Sequence, residues 1–235
     1  MSGSRFAGYV AHELRTPLAT QRALLELALA DADADVACWR EIGEEVLCAC
    51  KQQERLLDAC LTLARSQGGL RRREPVDLAA IAVEALEAHE LCELDGVVAL
   101  EPAWASGDPD LLERLAANLV SNAVRHNITG GRIEVATRTA SRRAVLRVSN
   151  TGPPVPAGEL QRLFRPFERF HSNPDGPDGG LGLGLAIVEA IARAHGARVT
   201  ASPRTEGGLE VGVSFPSARA ARPLRRRSLP LPGAP

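Results

Sequence analysis

No stretch of this 235-residue chain approaches the roughly 18 uninterrupted apolar residues of a membrane-spanning helix, since even the run 23–30, ALLELALA, is broken by Glu26. It carries no secretion signal, so the chain as it stands is expected neither to cross a membrane nor to be exported. Charge of one sign is missing as well. A net charge of -1 leaves no global field to attract nucleic acid. The five cysteines, at 38, 48, 50, 60 and 92, are odd in number and contain no C-x-x-C pair. That excludes a metal or disulfide framework and leaves small hydrophobes suited to a reducing compartment. A Walker loop is excluded because no Gly-Lys-Ser/Thr follows the glycines, and a dinucleotide fingerprint fails because no strand directly precedes them.

What is present is apolar enough to fold. Hydrophobic residues make up 45% of the chain, which supports one medium domain or two small ones. Residues 3 to about 30 repeat as a helix, with Val10, Leu14, Leu18, Leu25 and Ala28 on one side, until the DADAD cluster at 31–35 breaks the pattern. A second helix places Ile42, Val46, Ala49, Gln53, Leu56, Cys60 and Leu63 at alternating steps of four and three, the spacing of a coiled-coil seam. Two such helices cannot bury their stripes alone, and a hairpin that dimerises into a four-helix bundle is expected. The glycine, arginine and proline of SQGGLRRREPVD then mark a boundary. The expected organisation is 1–66 for the helical domain, 67–76 for a linker and 77–216 for a second domain. A tail at 217–235 holds five arginines and no acid, and lacks the apolar content to fold.

In the second domain, helices are expected at 78–89, from a cap at Asp108 to Arg125, and at 183–195 with Gly196 as the stop. Strands are expected at 97–100, 132–139, 144–149, 198–202 and 209–215, with a turn around Ser141. The fold class is therefore α+β: a helical hairpin followed by a two-layer α/β sandwich.

Three strings carry chemistry. In YVAHELRTPL, 9–18, Glu13 follows His12 directly and Thr16 lies one helical turn on, on the same face. A carboxylate beside the ring can hold one imidazole proton and leave the other nitrogen nucleophilic. Pro17 removes a backbone donor just beyond. In LAANLVSNAVRHN, 115–127, Asn118 and Asn122 share a helix face with Arg125 and His126 one turn further. An amide oxygen suits magnesium, and a nearby arginine suits phosphate. In DGGLGLGLAIV, from Asp178, Gly179, Gly180, Gly182 and Gly184 precede an apolar helix, where free amides and the helix dipole favour an anion.

These strings resemble, in order, the H, N and G2 boxes of sensor histidine kinases of the HisKA type, and LFRPFERF at 163–170 resembles the F box, the hinge region of a flexible ATP lid. The resemblance covers about residues 6 to 216. It implies a dimerisation and phosphotransfer module followed by an ATP-binding domain of the GHKL (Bergerat) type. His12 would be phosphorylated, with Glu13 as base and Thr16 positioning water for dephosphorylation. Asn122 would hold the magnesium of ATP, supported by Asn118, Arg125, His126, Gly180, Gly182 and Gly184. The implied partners are a second copy of the chain and a response regulator whose aspartate takes the phosphoryl group.

One box departs from the pattern. Where the family has Asp-x-Gly-x-Gly, this chain has Asn150, Thr151, Gly152, Pro153 and Pro154, so Asn150 replaces the adenine-binding aspartate and Gly152 alone is retained. An asparagine still accepts from adenine. Its amide can also turn over, so Asn150 is expected to exclude GTP less sharply than an aspartate, which should bind ATP more tightly. The departure also raises an alternative, a degenerate kinase acting as a regulator-binding scaffold or phosphatase. The family usually carries sensor and membrane segments upstream. This stretch is thus expected to be cytoplasmic, and membrane-associated if it belongs to a longer sensor.

Overall fold

The computed structural model describes residues 3–31, 34–70, 72–89, 94–168 and 181–218. The chain divides into two compact units, Met1–Gly69 with Arg162–Ala190, and Leu70–Gln161 with Ile191–Pro235. Arg162–Ala190 thus groups with the helical hairpin. No helix among the described residues is long and apolar enough to cross a membrane.

The first unit is built on α1 (Gly3–Ala30) and α2 (Val36–Gln67). The Asp35 carboxylate starts α2 by accepting from the Cys38 N–H at 2.9 Å. All seven seam positions of α2 turn inward, with Leu56 and Leu63 buried and the other five partly covered. Gln53, the polar member of the seam, donates from Nε2 to the Leu14 carbonyl at 3.5 Å, and Gln21 answers from α1 to the Val46 carbonyl at 3.4 Å. These cross-bonds set the register between the two helices, because an apolar stripe alone tolerates sliding. A second apolar stripe stays bare: Leu18, Leu25 and Leu29 on α1 and Leu47, Leu57 and Leu61 on α2 are exposed.

The second unit opens with β1 (Glu74–Asp77) and α3 (Leu78–Glu87), followed by β2 (Asp95–Leu100), β3 (Trp104–Gly107) and α4 (Pro109–Arg125). β4 (Arg132–Ala140), β5 (Arg143–Asn150), β6 (Arg198–Pro203) and β7 (Leu209–Pro216) follow, and α5 (Gly184–Ala194) precedes β6. The main sheet has the order β2-β4-β5-β7-β6, antiparallel except for the parallel β2–β4 pair. Inward residues alternate strictly: Ile133, Val135 and Thr137 on β4, Ala144, Leu146 and Val148 on β5, Leu209, Val211, Val213 and Phe215 on β7. Helices α3 and α4 cover this face through Leu78, Ala82, Leu112, Leu115, Ala116 and Val120. The result is the two-layer α/β sandwich expected from the sequence.

Two strands were not expected. β1 and β3 pair antiparallel, Glu74 opposite Gly107 and Asp77 opposite Trp104, in a separate two-stranded sheet. Four residues apiece, EPVD and WASG, are too short to show a period, and Pro75 reads as a breaker unless the strand is known to be marginal. β1 begins inside the segment read as a linker.

His195, just past α5, ties this unit together. Its ring is buried, its Nδ1 lies 2.8 Å from the Ile191 carbonyl, and its Nε2 accepts from the Asp108 N–H at 3.0 Å. Only the neutral ring protonated on Nδ1 satisfies both. The last turn of α5 is thereby bonded to the residue that caps α4. Burial, with the Arg73 charge adding to it, holds the imidazole below its ordinary pKa, against the opposing pull of the Ile191 carbonyl and Asp108. A histidine whose folded pKa is depressed stabilises the fold fully above the unfolded value of about 6.5 and ceases to do so as pH falls through the folded value. Thermal melts should accordingly be flat from pH 8 to 7 and fall toward pH 5. His195→Phe should melt lower at pH 7.5 but with a shallower acid slope, and an unchanged slope would show that His195 is not the group responsible.

Candidate functional site

On α1, His12 lies on the solvent side, and its ring makes no hydrogen bond to any described residue. Neighbours on a helix point about 100° apart, and accordingly no hydrogen bond joins His12 to Glu13. Thr16 does share the face of His12, as its spacing required. Its hydroxyl donates to the His12 carbonyl at 3.3 Å, so its proton is engaged and its oxygen lone pairs remain. Pro17, one residue on, has no N–H to offer the Glu13 carbonyl.

Asn118, Asn122 and Arg125 lie along one side of α4, bordering its buried stripe. The two asparagines differ in their bonding. Asn118 donates from Nδ2 to the Arg114 carbonyl at 2.7 Å, whereas the half-buried Asn122 side chain makes no hydrogen bond to any described residue. The Asn122 amide therefore stays accessible, with its oxygen open to a ligand. Arg125 is exposed in the last turn and forms no ion pair with any described residue.

His126 ends α4, and its carbonyl is the hinge to the rest of the site. Asn150, buried at the end of β5, donates from Nδ2 to the His126 carbonyl at 3.2 Å and to the Thr151 carbonyl at 2.6 Å. Turning the amide over would set its oxygen against two carbonyl oxygens. The expected inversion of Asn150 is therefore corrected: both donors are bound, and an acceptor oxygen is what remains. Around it, the Thr151 hydroxyl donates to Asn127 Oδ1 at 2.6 Å and accepts from the Arg132 N–H at 2.7 Å. Gly152 presses on the His126 carbonyl so closely that a β-carbon has no room. Gly208, at φ 94°, is equally tight against the Asn150 carbonyl. Sequence reasoning missed Asn127, Thr151 and Gly208; the Gly207–Gly208 pair between β6 and β7 was the available signal.

The described part of the glycine-rich string lies in the first unit. Gly182 takes φ 66°, and its carbonyl accepts from the Phe167 N–H at 2.9 Å. Gly184 is the first residue of α5. Gly179 and Gly180 lie outside the described residues, as do the end of the 163–170 string, Cys92 and most of the arginine-rich tail.

Magnesium fits the donors of α4. No group of three His, Cys, Asp or Glu side chains able to hold a metal occurs among the described residues. Asn122 offers one hard oxygen, and a cation with that preference completes its shell from phosphate and water.

Both parts of the chain resemble known proteins. Residues 3–69 match the His Kinase A (phospho-acceptor) domain, and residues 107–219 match the histidine kinase-, DNA gyrase B- and HSP90-like ATPase. The chain is 46% identical over 217 residues to the sensor protein CutS of Streptomyces coelicolor, covering 90% of this chain and 52% of that protein. It is 34% identical over 234 residues to the sensor protein kinase PmrB of Pseudomonas aeruginosa, covering 94% and 48%. The chain thus spans about half the length of the curated relatives it matches. Among solved structures, the histidine kinase AdeS of Acinetobacter baumannii shares the fold at a TM-score of 0.67 and 22% identity, covering 88% of this chain and 98% of that one. A mycobacterial sensor histidine kinase, MprB, aligns at 0.56 and 26%, covering 62% and 97%. With a phosphoacceptor domain and an ATPase domain matched in succession, this chain belongs to the sensor histidine kinases of two-component systems.

Proposed function

We propose that the chain autophosphorylates His12 from ATP and passes the phosphoryl group to an aspartate of a response regulator. The observation that carries this reading is the His12 ring, solvent-facing and unengaged on α1. A ring nitrogen of His12 attacks the γ-phosphorus, and an N–P bond forms as the bond to the β,γ-bridging oxygen breaks and ADP departs with the electron pair. The ring proton passes to Glu13, which needs a side-chain rotation, since the two point apart at rest. Asn122 would hold magnesium, which when bound would neutralise phosphate charge. Arg125 adds to that neutralisation. The acceptor oxygen left on Asn150 meets the amino group of adenine, and its fixed orientation favours ATP over GTP. That undercuts the scaffold alternative, which leaned on Asn150. The bare leucines of α1 and α2 support a homodimer closed into a four-helix bundle.

Incubation with γ-labelled ATP and magnesium tests the central claim. Acid-labile label should appear on the wild type and vanish in His12→Gln, while nucleotide still binds; acid-stable label, or label persisting in the variant, would overturn it. Asn122→Ala should fold normally and label at least about a hundredfold more slowly, in keeping with several kcal/mol lost with a ligand to the metal. A near wild-type rate would remove Asn122 from the site.

Asn150→Asp reverses the expectation drawn from sequence. A carboxylate there faces the His126 and Thr151 carbonyls with no proton to give, so the variant should lose about 1–3 kcal/mol of stability at pH 7.5. Those carbonyls raise its folded pKa, so the deficit relative to wild type should shrink as pH falls and the carboxyl protonates. Melting curves of both proteins at pH 7.5 and 5.5, with ATP titrations, decide it; an unchanged melt with tighter ATP binding would restore the view that the amide turns freely.

A further inference from the structure

The β6–β7 connection, residues 204–208, is a turn whose first side chain reaches back across the sheet. Arg204 donates from Nη1 to the Ser149 hydroxyl at 2.7 Å and from Nη2 to Glu134 Oε1 at 3.1 Å. Ser149 is buried on β5 directly ahead of Asn150, and Glu134 stands opposite it on β4. The Ser149 hydroxyl in turn donates to Glu134 Oε2 at 3.5 Å, so the three side chains close a triangle. The hydrogen bond from Arg204 holds the Glu134 carboxyl below the usual carboxylate range, and only 21% of the Arg204 side chain is exposed. Charges covered in this way are screened less than charges on the open surface.

The same residue braces the turn through its backbone. Its N–H donates to the Gly208 carbonyl at 3.2 Å, and its carbonyl accepts from the Gly207 N–H at 3.1 Å. Gly207 and Gly208 take φ 87° and 94°, which glycine adopts without strain. Both lie against the loop that follows β5. A β-carbon at Gly207 would collide with the Gly152 carbonyl, and one at Gly208 with the Asn150 carbonyl. The Gly208 N–H donates to the Pro153 carbonyl at 3.2 Å, and Pro154 forms a parallel bridge with Gly208. All of these residues belong to the second unit. Arg204 is thus bonded on one side to the strands that lead to Asn150 and on the other to the glycines that back the loop beyond it.

We infer that Arg204 is a positioning residue that sets which base the site accepts. The inference rests on the reading of Asn150 as the contact to adenine. The Asn150 amide keeps one orientation only while the His126 and Thr151 carbonyls stay in place. Thr151 leads straight into Gly152 and Pro153, the stretch that the glycine turn backs. With Arg204 detached, the two glycines lose their brace, the loop relaxes, and the Thr151 carbonyl draws away from the amide. The amide is then free to turn over. An inverted carboxamide donates to the oxygen that guanine carries where adenine has its amino group, so discrimination between the bases falls. Arg204 itself touches no nucleotide: it acts through the turn, the loop and Asn150.

Two measurements on the full chain test this. Calorimetric titration with magnesium and the non-hydrolysable analogues AMP-PNP and GMP-PNP gives the ratio of the two affinities. Arg204→Ala should lower that ratio roughly three- to tenfold, the span expected of one hydrogen bond to the base. Arg204→Lys, which keeps the charge and a donor for Glu134, should keep most of the ratio. Thr205→Ala, a change at the exposed tip of the same turn, should leave it as in wild type. A brace for the fold alone would weaken both analogues alike. An unchanged ratio in Arg204→Ala, or an equal drop in Thr205→Ala, would therefore overturn the inference. Hydrogen exchange read by mass spectrometry without nucleotide is the second measurement: peptides covering 150–154 and 204–208 should exchange faster in Arg204→Ala and at the wild-type rate in Thr205→Ala. Wild-type protein that binds both analogues equally would remove the adenine reading of Asn150. The exchange rates still judge the brace, and unchanged exchange at 204–208 in Arg204→Ala would refute it.

Discussion

Two backbone carbonyls, of His126 and Thr151, converge on the single side-chain amide of Asn150, and much of the second unit is arranged so that they can. One carbonyl ends α4 and the other follows β5, so the amide fastens the helix layer to the sheet where both stop. A carbonyl that water does not reach needs a donor, and the Asn150 amide donates to both. The glycines at 152 and 208 follow from this, because a β-carbon at either would press on the carbonyls of His126 or Asn150. The hydroxyl of Thr151 continues the network to Asn127 and the start of β4. A residue that looks like a loss when set beside the family pattern is, in its own surroundings, a polar clasp with an acceptor to spare.

A different constraint shapes the hairpin. Each helix carries two apolar stripes, and the pairing of α1 with α2 covers only one. Gln21 and Gln53 choose which, because their cross-bonds to Val46 and Leu14 exist in a single register. The stripe left over includes Leu18, Leu25, Leu47, Leu57 and Leu61. His12 escapes both stripes and stays open to solvent. The same helix thus offers an inner seam, an outer apolar face and an exposed imidazole, separated by the 100° step between successive residues.

Long periodic segments were readable from sequence alone. Both hairpin helices, the Asp108 cap, α4 to Arg125, and the alternation in β4, β5 and β7 appear where their patterns place them, although Leu18 and Leu25, read on one side of α1 with Val10, Leu14 and Ala28, are exposed. The short β1–β3 pair left no such record. Four-residue strands owe their existence to what lies beside them, and the parallel partnership of β2 with β4 is likewise a matter of neighbours. The candidate site divides in the same way. That His12 and Thr16 share a face, and that Asn118, Asn122 and Arg125 share another, follows from helical spacing and needed no coordinates.

Which of those side chains is engaged was a tertiary matter. Asn118 and Asn122 are identical in type and one turn apart, yet one is bonded to the Arg114 carbonyl and the other is without a described partner. The orientation of Asn150 depends on carbonyls contributed 24 residues earlier and one residue later, a convergence no local pattern contains. Phe167 meets Phe6 and Tyr9 from more than 150 positions away. Sequence by itself determined the long periodic elements, the family and the residue types at the site, since these rest on periodicity and local chemistry. Tertiary structure alone decided hydrogen-bond partners, amide orientation and the aromatic contact, because each depends on atoms that distant parts of the chain bring within about 3–4 Å.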